Sequence, residues 1–252
     1  MELIEIIGFL GALLIGVVLG LIGGGGSILT VPILVYGLGI DPVTGTAYSL
    51  FVVGSAAAVG AFRNAQKGMV DFRTGIVFAI PALTAVYLTR KFVVPAIPED
   101  LFHIGSFDVT RDMAIMIFFA IIMLAASISM IRGRKDTGEE QEVQYNYPMI
   151  VLEGIVVGFL TGIVGAGGGF LIIPALVLLA KLPMKKAVAT SLLIIAIKSL
   201  IGFIGDVQNL EIDWVFLLSF TLISVIGIFI GIYLSNFISG KKLKKGFGWF
   251  VL

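Results

Sequence analysis

The sequence predicts an all-α integral membrane protein: an inverted-topology repeat with two broken, re-entrant helix hairpins and about 5–7 further spanning segments. Three observations predict it. Long apolar stretches alternate with short charged loops, two glycine clusters recur at one fixed separation, and equivalent loops carry opposite charge.

The apolar stretches follow from composition. Of 252 residues, 58% are hydrophobic and 13% charged, where a soluble domain carries about 25% charged residues. Mean hydropathy is +1.10. The net charge of +1 gives no footprint for nucleic acid. Cysteine is absent, which excludes disulfides, thiol chemistry and cysteine metal sites. His103 falls in a polar loop with no second histidine to share a metal, so neither a metal nor a cofactor is expected. The start, Met1-Glu2-Leu3-Ile4-Glu5, is acidic and lacks the basic region of a signal peptide, so the first apolar stretch is read as part of the mature fold.

In chain order the apolar segments fall near 4–22, 28–38, 45–62, 74–94, 112–131, 149–164, 170–180, 187–205 and 214–238. Helices are expected because a lipid-exposed segment must satisfy its own backbone, and a β-barrel would need alternating segments of about ten residues. Residues 28–38 and 170–180 rise only about 16 Å as helices, too short to cross a hydrocarbon core of about 30 Å. Each follows a glycine cluster and carries a proline: Gly23-Gly24-Gly25-Gly26-Ser27 with Pro32, and Gly165-Ala166-Gly167-Gly168-Gly169 with Pro174.

Pro174 lies 142 residues after Pro32, and the same shift aligns Gly16 with Gly158, Gly20 with Gly162, Gly23 with Gly165 and Gly26 with Gly168. It also aligns Ser49-Leu50 with Ser191-Leu192, Gln66 with Gln208 and Asp71 with Asp213. Charge then orients the two halves. The loop after 45–62 carries Arg63, Lys67 and Arg73, whereas its counterpart carries Asp206, Glu211 and Asp213. One loop earlier the signs reverse, Asp41 standing opposite Lys181, Lys185 and Lys186. Cytoplasmic loops are enriched in Lys and Arg, so the halves are expected to be inverted.

The resulting plan has an N-terminal membrane repeat over 1–131, a cytoplasmic linker over 132–147 and an inverted C-terminal repeat over 148–252. The amino terminus is outside, segments 4–38 and 149–180 are hairpins, and the protein is a multi-pass component of the cell (plasma or inner) membrane. Arg90 and Lys91 sit at an outer end against the charge rule, where long side chains snorkel. The chain stops a few residues into the counterpart of 112–131, which suggests a missing final helix.

A glycine cluster inside a membrane lets the backbone leave helical geometry. The half-helix that restarts exposes unpaired N–H groups and a positive dipole end, which together form an anion site without a charged side chain. The candidate binding residues are therefore Gly24, Gly25, Gly26 and Ser27 at one break, with Gly167, Gly168 and Gly169 at the other. A tight re-entrant turn without ligand is the alternative use. Ser49, Thr190 and Ser191 add hydroxyl groups, equally suited to bonds between helices. Lys198 is a cation inside a span, seven residues from Ser191 on the same helix face, and is functional by default unless it snorkels to an interface. Arg63, Asn64 and Asp206 end spans, as gates or topology anchors. Gly16-x-x-x-Gly20 and Gly158-x-x-x-Gly162 suit close helix packing. No Asp or Glu is read as lying deep in a span, so an anion is expected to leave down the membrane potential, gaining roughly 2.3 kcal/mol per 100 mV.

Gly20-Leu21-Ile22-Gly23-Gly24-Gly25-Gly26-Ser27 through Pro32, and Gly162-Ile163-Val164-Gly165-Ala166-Gly167-Gly168-Gly169 through Pro174, resemble the sulfite exporter TauE/SafE family of anion permeases. Ala189-Thr190-Ser191-Leu192 comes after the second motif at the family's spacing, whereas the first half reads Ala47-Tyr48-Ser49-Leu50. The resemblance implies a secondary transporter exporting sulfite, an organosulfonate or a related sulfur-containing anion, with the lipid bilayer as its other partner. The residue spacing itself does not read sulfur, and it leaves oligomeric state open. A channel for small anions is the alternative, since broken helices also build filters. An enzyme has no support, because no nucleophile triad, His/Cys cluster or Walker-type loop is present.

Overall fold

The computed structural model describes residues 3–24, 26–93, 96–98, 100–104, 107–110, 147–164, 169–207 and 210–251, with single residues and pairs between 114 and 131. Helix dominates. The first run is α1 (Leu3–Ile22), α2 (Gly26–Pro32), α3 (Pro42–Gln66) and α4 (Phe72–Leu88). The second is α5 (Tyr147–Val164), α6 (Gly169–Pro174), α7 (Met184–Asp206), α8 (Trp214–Phe237) and α9 (Gly240–Val251). The described residues between 114 and 131 are helical.

The first glycine cluster interrupts the chain where expected, at Gly23 and Gly24, while residues 165–168 of the second lie outside the described residues. After each break comes a short α-helix that widens into a π-type turn, Ile33–Gly37 after α2 and Ala175–Leu179 after α6. Proline explains the widening. Pro32 and Pro174 lack an N–H and their rings crowd the preceding carbonyl, so the ladder shifts to a wider bond. The shifted bonds match position for position. Leu38 N–H donates to Ile33 O at 3.0 Å and Ala180 N–H to Ala175 O at 3.1 Å. Ile40 N–H donates to Leu34 O, and Leu182 N–H to Leu176 O.

Aspartates set three helix starts. Asp41 accepts from the Val43 and Thr44 amides, Asp71 from Thr74 N–H and Asp213 from Phe216 N–H, the last two both at 3.0 Å. Each satisfies donors that a helix N-terminus leaves free.

Three seams assemble the helices: α1 along α8, α5 along α4, and α3 along α7. Glycine closes the first two. Gly16 and Gly20 of α1 lie against the backbone of α8 at Ser224, Ile228 and Gly231, and Gly154 and Gly158 of α5 lie against Phe78 and Ala82 of α4. Rising numbers meet rising numbers in both, so each pair runs parallel. Ser224 adds a bond across the first seam, donating to Ala12 O at 3.0 Å. The packing use of Gly16, Gly20 and Gly158 is thereby shown, while the surroundings of Gly162 lie outside the described residues.

Outer faces are apolar. Leu218, Leu222, Ile226 and Phe229 of α8 and Ile76 and Ile80 of α4 are exposed, as a lipid-facing surface requires. Among the described residues, four helical stretches are long and apolar enough to cross a membrane: Val43–Gln66, Phe72–Val93, Met184–Gly205 and Trp214–Phe237. Four shorter apolar helices accompany them, Ile6–Ile22, Ile28–Gly37, Pro148–Thr161 and Gly169–Leu178.

Two features depart from the sequence reading. Residues read as a loop form an antiparallel hairpin, β1 (Asp100–Ile104) with β2 (Phe107–Thr110), pairing His103 with Asp108 and Ile104 with Phe107. The fold remains helical apart from this hairpin; the alternation on both sides of Gly105-Ser106 is a hairpin pattern too short to outweigh the apolar runs. The second departure is Glu153, a carboxylate within α5 that is only 2% exposed. The expectation of spans free of buried acid fails there, because one acid barely alters the hydropathy of an otherwise apolar helix of 18 residues.

Candidate functional site

The first glycine break is built by close approach. Gly23 ends α1, its N–H donating to Leu19 O at 2.7 Å, and turns at φ +80°, a conformation that an L side chain adopts only with strain. A Cβ on Gly23 would stand 2.7 Å from Ser191 Oγ, and one on Gly24 would stand 2.5 Å from Gly169 O. Gly24 therefore lies directly on the start of α6. The two breaks meet in space at Gly24 and Gly169, both buried.

Ser191 of α7 completes this contact. Its hydroxyl lies 3.1 Å from Gly23 O and 2.8 Å from Val188 O, so the proton is shared between carbonyls of the break and of its own helix. Gly26 opens α2, buried against Leu19 and Ile15, with its carbonyl accepting from Thr30 Oγ1 at 2.7 Å. Gly25, Gly167, Gly168 and the Ser27 side chain lie outside the described residues. Ser49 is buried in α3 at the position corresponding to Ser191; the corresponding break residue, Gly165, also lies outside them.

Thr190 serves a different end. Its hydroxyl accepts from Asp71 N–H at 3.0 Å, tying the start of α4 to α7. Tyr48, which stands where Thr190 does in the other half, does the same for Asp213 at 2.7 Å. The departure from threonine at position 48 thus keeps a hydroxyl on a longer arm.

Lys198 is half-buried on α7, and Nζ donates to Thr161 Oγ1 of α5 at 3.2 Å. Thr161 is four residues before Gly165, so the ammonium group stands beside the helix that leads into the second break. Ser191 and Lys198 are about 10 Å apart along α7 at 1.5 Å per residue, one serving the first break and the other the approach to the second. Sequence reasoning missed Thr161, one hydroxyl among many, and Glu153. The signal for Glu153 was a single acid inside the apolar run 149–164.

The predicted gates stand apart from the breaks. Arg63 is exposed and donates to Gln66 Oε1 at 3.3 Å, and Asn64 donates to Gly60 O at 3.0 Å. The Asp206 side chain is not among those described. Near that end a cleft of about 240 Å³ is lined by Gly68, Met69, Val70, Asp71, Phe72, Arg73 and Lys186. Its two cations lie one turn from Thr190 and next to Thr74. With Asp71 also in the lining, the cleft carries a net positive charge of one.

The chain matches the family profile of the sulfite exporter TauE/SafE over residues 8–252. It is 29% identical over 245 residues to a probable membrane transporter protein of Xylella fastidiosa, covering 95% of this chain and 88% of that one. Against a probable membrane transporter protein of Methanocaldococcus jannaschii it is 32% identical over 216 residues, 81% and 72% of the two chains. A probable membrane transporter protein of Bacillus subtilis is 28% identical over 223 residues, 82% and 80% covered. No solved structure matches the chain. Helices of spanning length and this profile together make the chain a multi-pass membrane transporter, not an enzyme, that belongs to the sulfite exporter TauE/SafE family.

Proposed function

We propose that the protein is a permease that exports a small sulfur-containing anion, sulfite or an organosulfonate, and holds it near the midplane between the two glycine breaks. The observation that carries this reading is the seat of Gly24 on Gly169, with Ser191 bonded to Gly23. Two helical runs, 26–37 and 169–179, then begin at one place, and backbone N–H groups at helix starts bind anions through hydrogen bonds and dipole. Lys198 adds a positive charge beside the helix that leads into the second break.

The reading includes the inverted repeat, with the amino terminus outside, 132–147 a cytoplasmic linker, and about 5–7 spans besides the hairpins. Its support is the recurrence of breaks, wide turns, aspartate caps and seams at a shift of 142 residues, together with the opposite loop charges. Sulfur selectivity rests on family membership alone. The test is uptake of sulfite, sulfoacetate, thiosulfate and chloride into vesicles holding the purified protein, beside Lys198→Ala and Gly26→Val. Saturable uptake with counterflow, weakened in both variants, supports the carrier. Normal transport in both removes the site, and ohmic single-channel currents make the protein a pore.

A further inference from the structure

Glu153 is a buried acid that the anion site does not use. It is 2% exposed, and both carboxylate oxygens are without a hydrogen-bond partner among the described residues. An ionised carboxylate so placed lacks the counter-charge that burial of charge demands, and the neutral acid is far cheaper to bury. The helix has no structural need of it. At the shift of 142 residues Glu153, Thr161 and Lys198 correspond to Gly11, Leu19 and Ala56, so the other half builds the same packing with apolar groups.

Among the described residues the surroundings supply no fixed partner, the Arg90 side chain lying outside them. α5 packs on α4, on α6 with the turn after it, and on residues 89–93. α6 and 175–179 carry no titratable group. On α4 they are Arg73 and Tyr87 and on 89–93 Arg90 and Lys91, of which Arg73, Tyr87 and Lys91 are exposed. The residues from 114 to 131 carry no charge. On α5 itself the one other titratable residue is Tyr147, and the half-buried Lys198 bonds to Thr161 eight residues further on.

A second unpartnered polar group lies on the facing helix. Thr74 is 1% exposed and its hydroxyl is also unpartnered among the described residues. Gly154 lies against Phe78, and the parallel register carried back one turn sets Thr74 level with Ile150, within a turn of Glu153. Thr74 comes directly after Phe72 and Arg73, which line the cationic cleft.

We propose that Glu153 is a proton-binding site that couples anion movement to proton movement, loaded from the cleft past Thr74. A proton from water adds to a Glu153 carboxylate oxygen and returns to water on the opposite side. The negative carboxylate opposes an anion in the path and protonation removes that charge, so anion and proton travel together. This rests on the transport reading, and it replaces simple escape of the anion down the membrane potential.

The test uses the full chain in lipid vesicles. Infrared pH titration, which needs no substrate, reads the protonated carboxyl band of the wild type, Glu153→Gln and Glu153→Asp. A band that titrates in the wild type, shifts in Glu153→Asp and vanishes in Glu153→Gln is the expected result. The same band in all three overturns the proposal. With an enclosed pH dye, a gradient of an organosulfonate, which unlike sulfite takes up no proton near neutral pH, should drive proton movement in the wild type and none in Glu153→Gln. Organosulfonate flux without proton flux in the wild type overturns the coupling and leaves the permease reading intact. Absence of sulfite and organosulfonate flux alike sinks that reading, and the infrared titration still decides whether Glu153 exchanges a proton.

Discussion

Asp71 N–H donates to Thr190 Oγ1 at 3.0 Å, a bond between residues 119 positions apart that fixes where α4 begins against α7. Asp213 N–H donates to Tyr48 Oη at 2.7 Å in the corresponding place between α8 and α3. In each case the carboxylate caps its own helix while the amide reaches across to the other half. A cap and a crosslink thus share one residue.

Thr190→Val removes the acceptor of the Asp71 amide across this contact, a loss of about 1–3 kcal/mol. Thr190→Ser keeps the oxygen and should retain most of the stability. Thermal unfolding in detergent measures both, with Tyr48→Phe as the corresponding change. Equal midpoints for Thr190→Val and the wild type would show that water replaces the bond without loss.

The glycine seams give a second expectation. A Cβ on Gly16 would run into Ser224 O and one on Gly158 into Ala82 O, so alanine there forces parallel helices apart. Overpacking costs about 1–3 kcal/mol where neighbours can shift, and backbone atoms shift least. Gly205 has open space around its Cβ position, so Gly205→Ala should be neutral or slightly stabilising. Unfolding midpoints that rank Gly205→Ala with Gly16→Ala would contradict the seam.

Much of this was legible in the residues. The shift of 142 located the breaks, the prolines and the short half-helices, because glycine and proline act on their own backbone. The same shift could not say that Pro32 and Pro174 widen the helix into π turns, nor that Thr190 would spend its hydroxyl on Asp71. Those outcomes depend on which helix arrives opposite. The burial of Glu153 and the bond of Thr161 to Lys198 were illegible for the same reason: both are properties of a neighbourhood. The hairpin at 100–110 escaped because its pairing is local while hydropathy is summed over long windows.

Gly24→Ala tests the meeting of the two breaks with little other change. The added methyl group would lie 2.5 Å from Gly169 O and 3.1 Å from Ile173 Cδ1, prying α6 from the first break. If the anion sits between them, sulfite uptake should fall at least tenfold in protein that still elutes as a folded species. Gly246→Ala, with nothing near its Cβ position, is the control. Matched rates for the two would detach transport from this contact.

Lys198 separates charge from packing. Lys198→Met keeps an apolar stem and loses the ammonium group, whereas Lys198→Arg keeps the charge. A hydrogen bond to a charged group is worth about 1.5–3 kcal/mol, roughly 10- to 150-fold in affinity. The expected order of sulfite affinity is wild type, then Arg, then Met, with Thr161→Val weakening it by loss of positioning. Uptake in Lys198→Met equal to the wild type would reduce Lys198 to a snorkelling residue.

The cleft between Arg73 and Lys186 makes a prediction that depends on salt. Both cations are close to the surface, so their field collects anions over distances that ions screen. The Debye length falls from about 30 Å at 0.01 M to about 8 Å at 0.15 M. Arg73→Gln with Lys186→Gln should therefore slow sulfite uptake severalfold at low ionic strength and much less at high ionic strength, with the maximal rate little changed. The internal site would behave oppositely: Lys198→Met should weaken uptake at every salt concentration, because a half-buried charge is screened less. Measuring initial rates across a salt series for both variants distinguishes mouth from site. A parallel fall for the two, independent of salt, would mean that Arg73 and Lys186 contact the anion within the transport path.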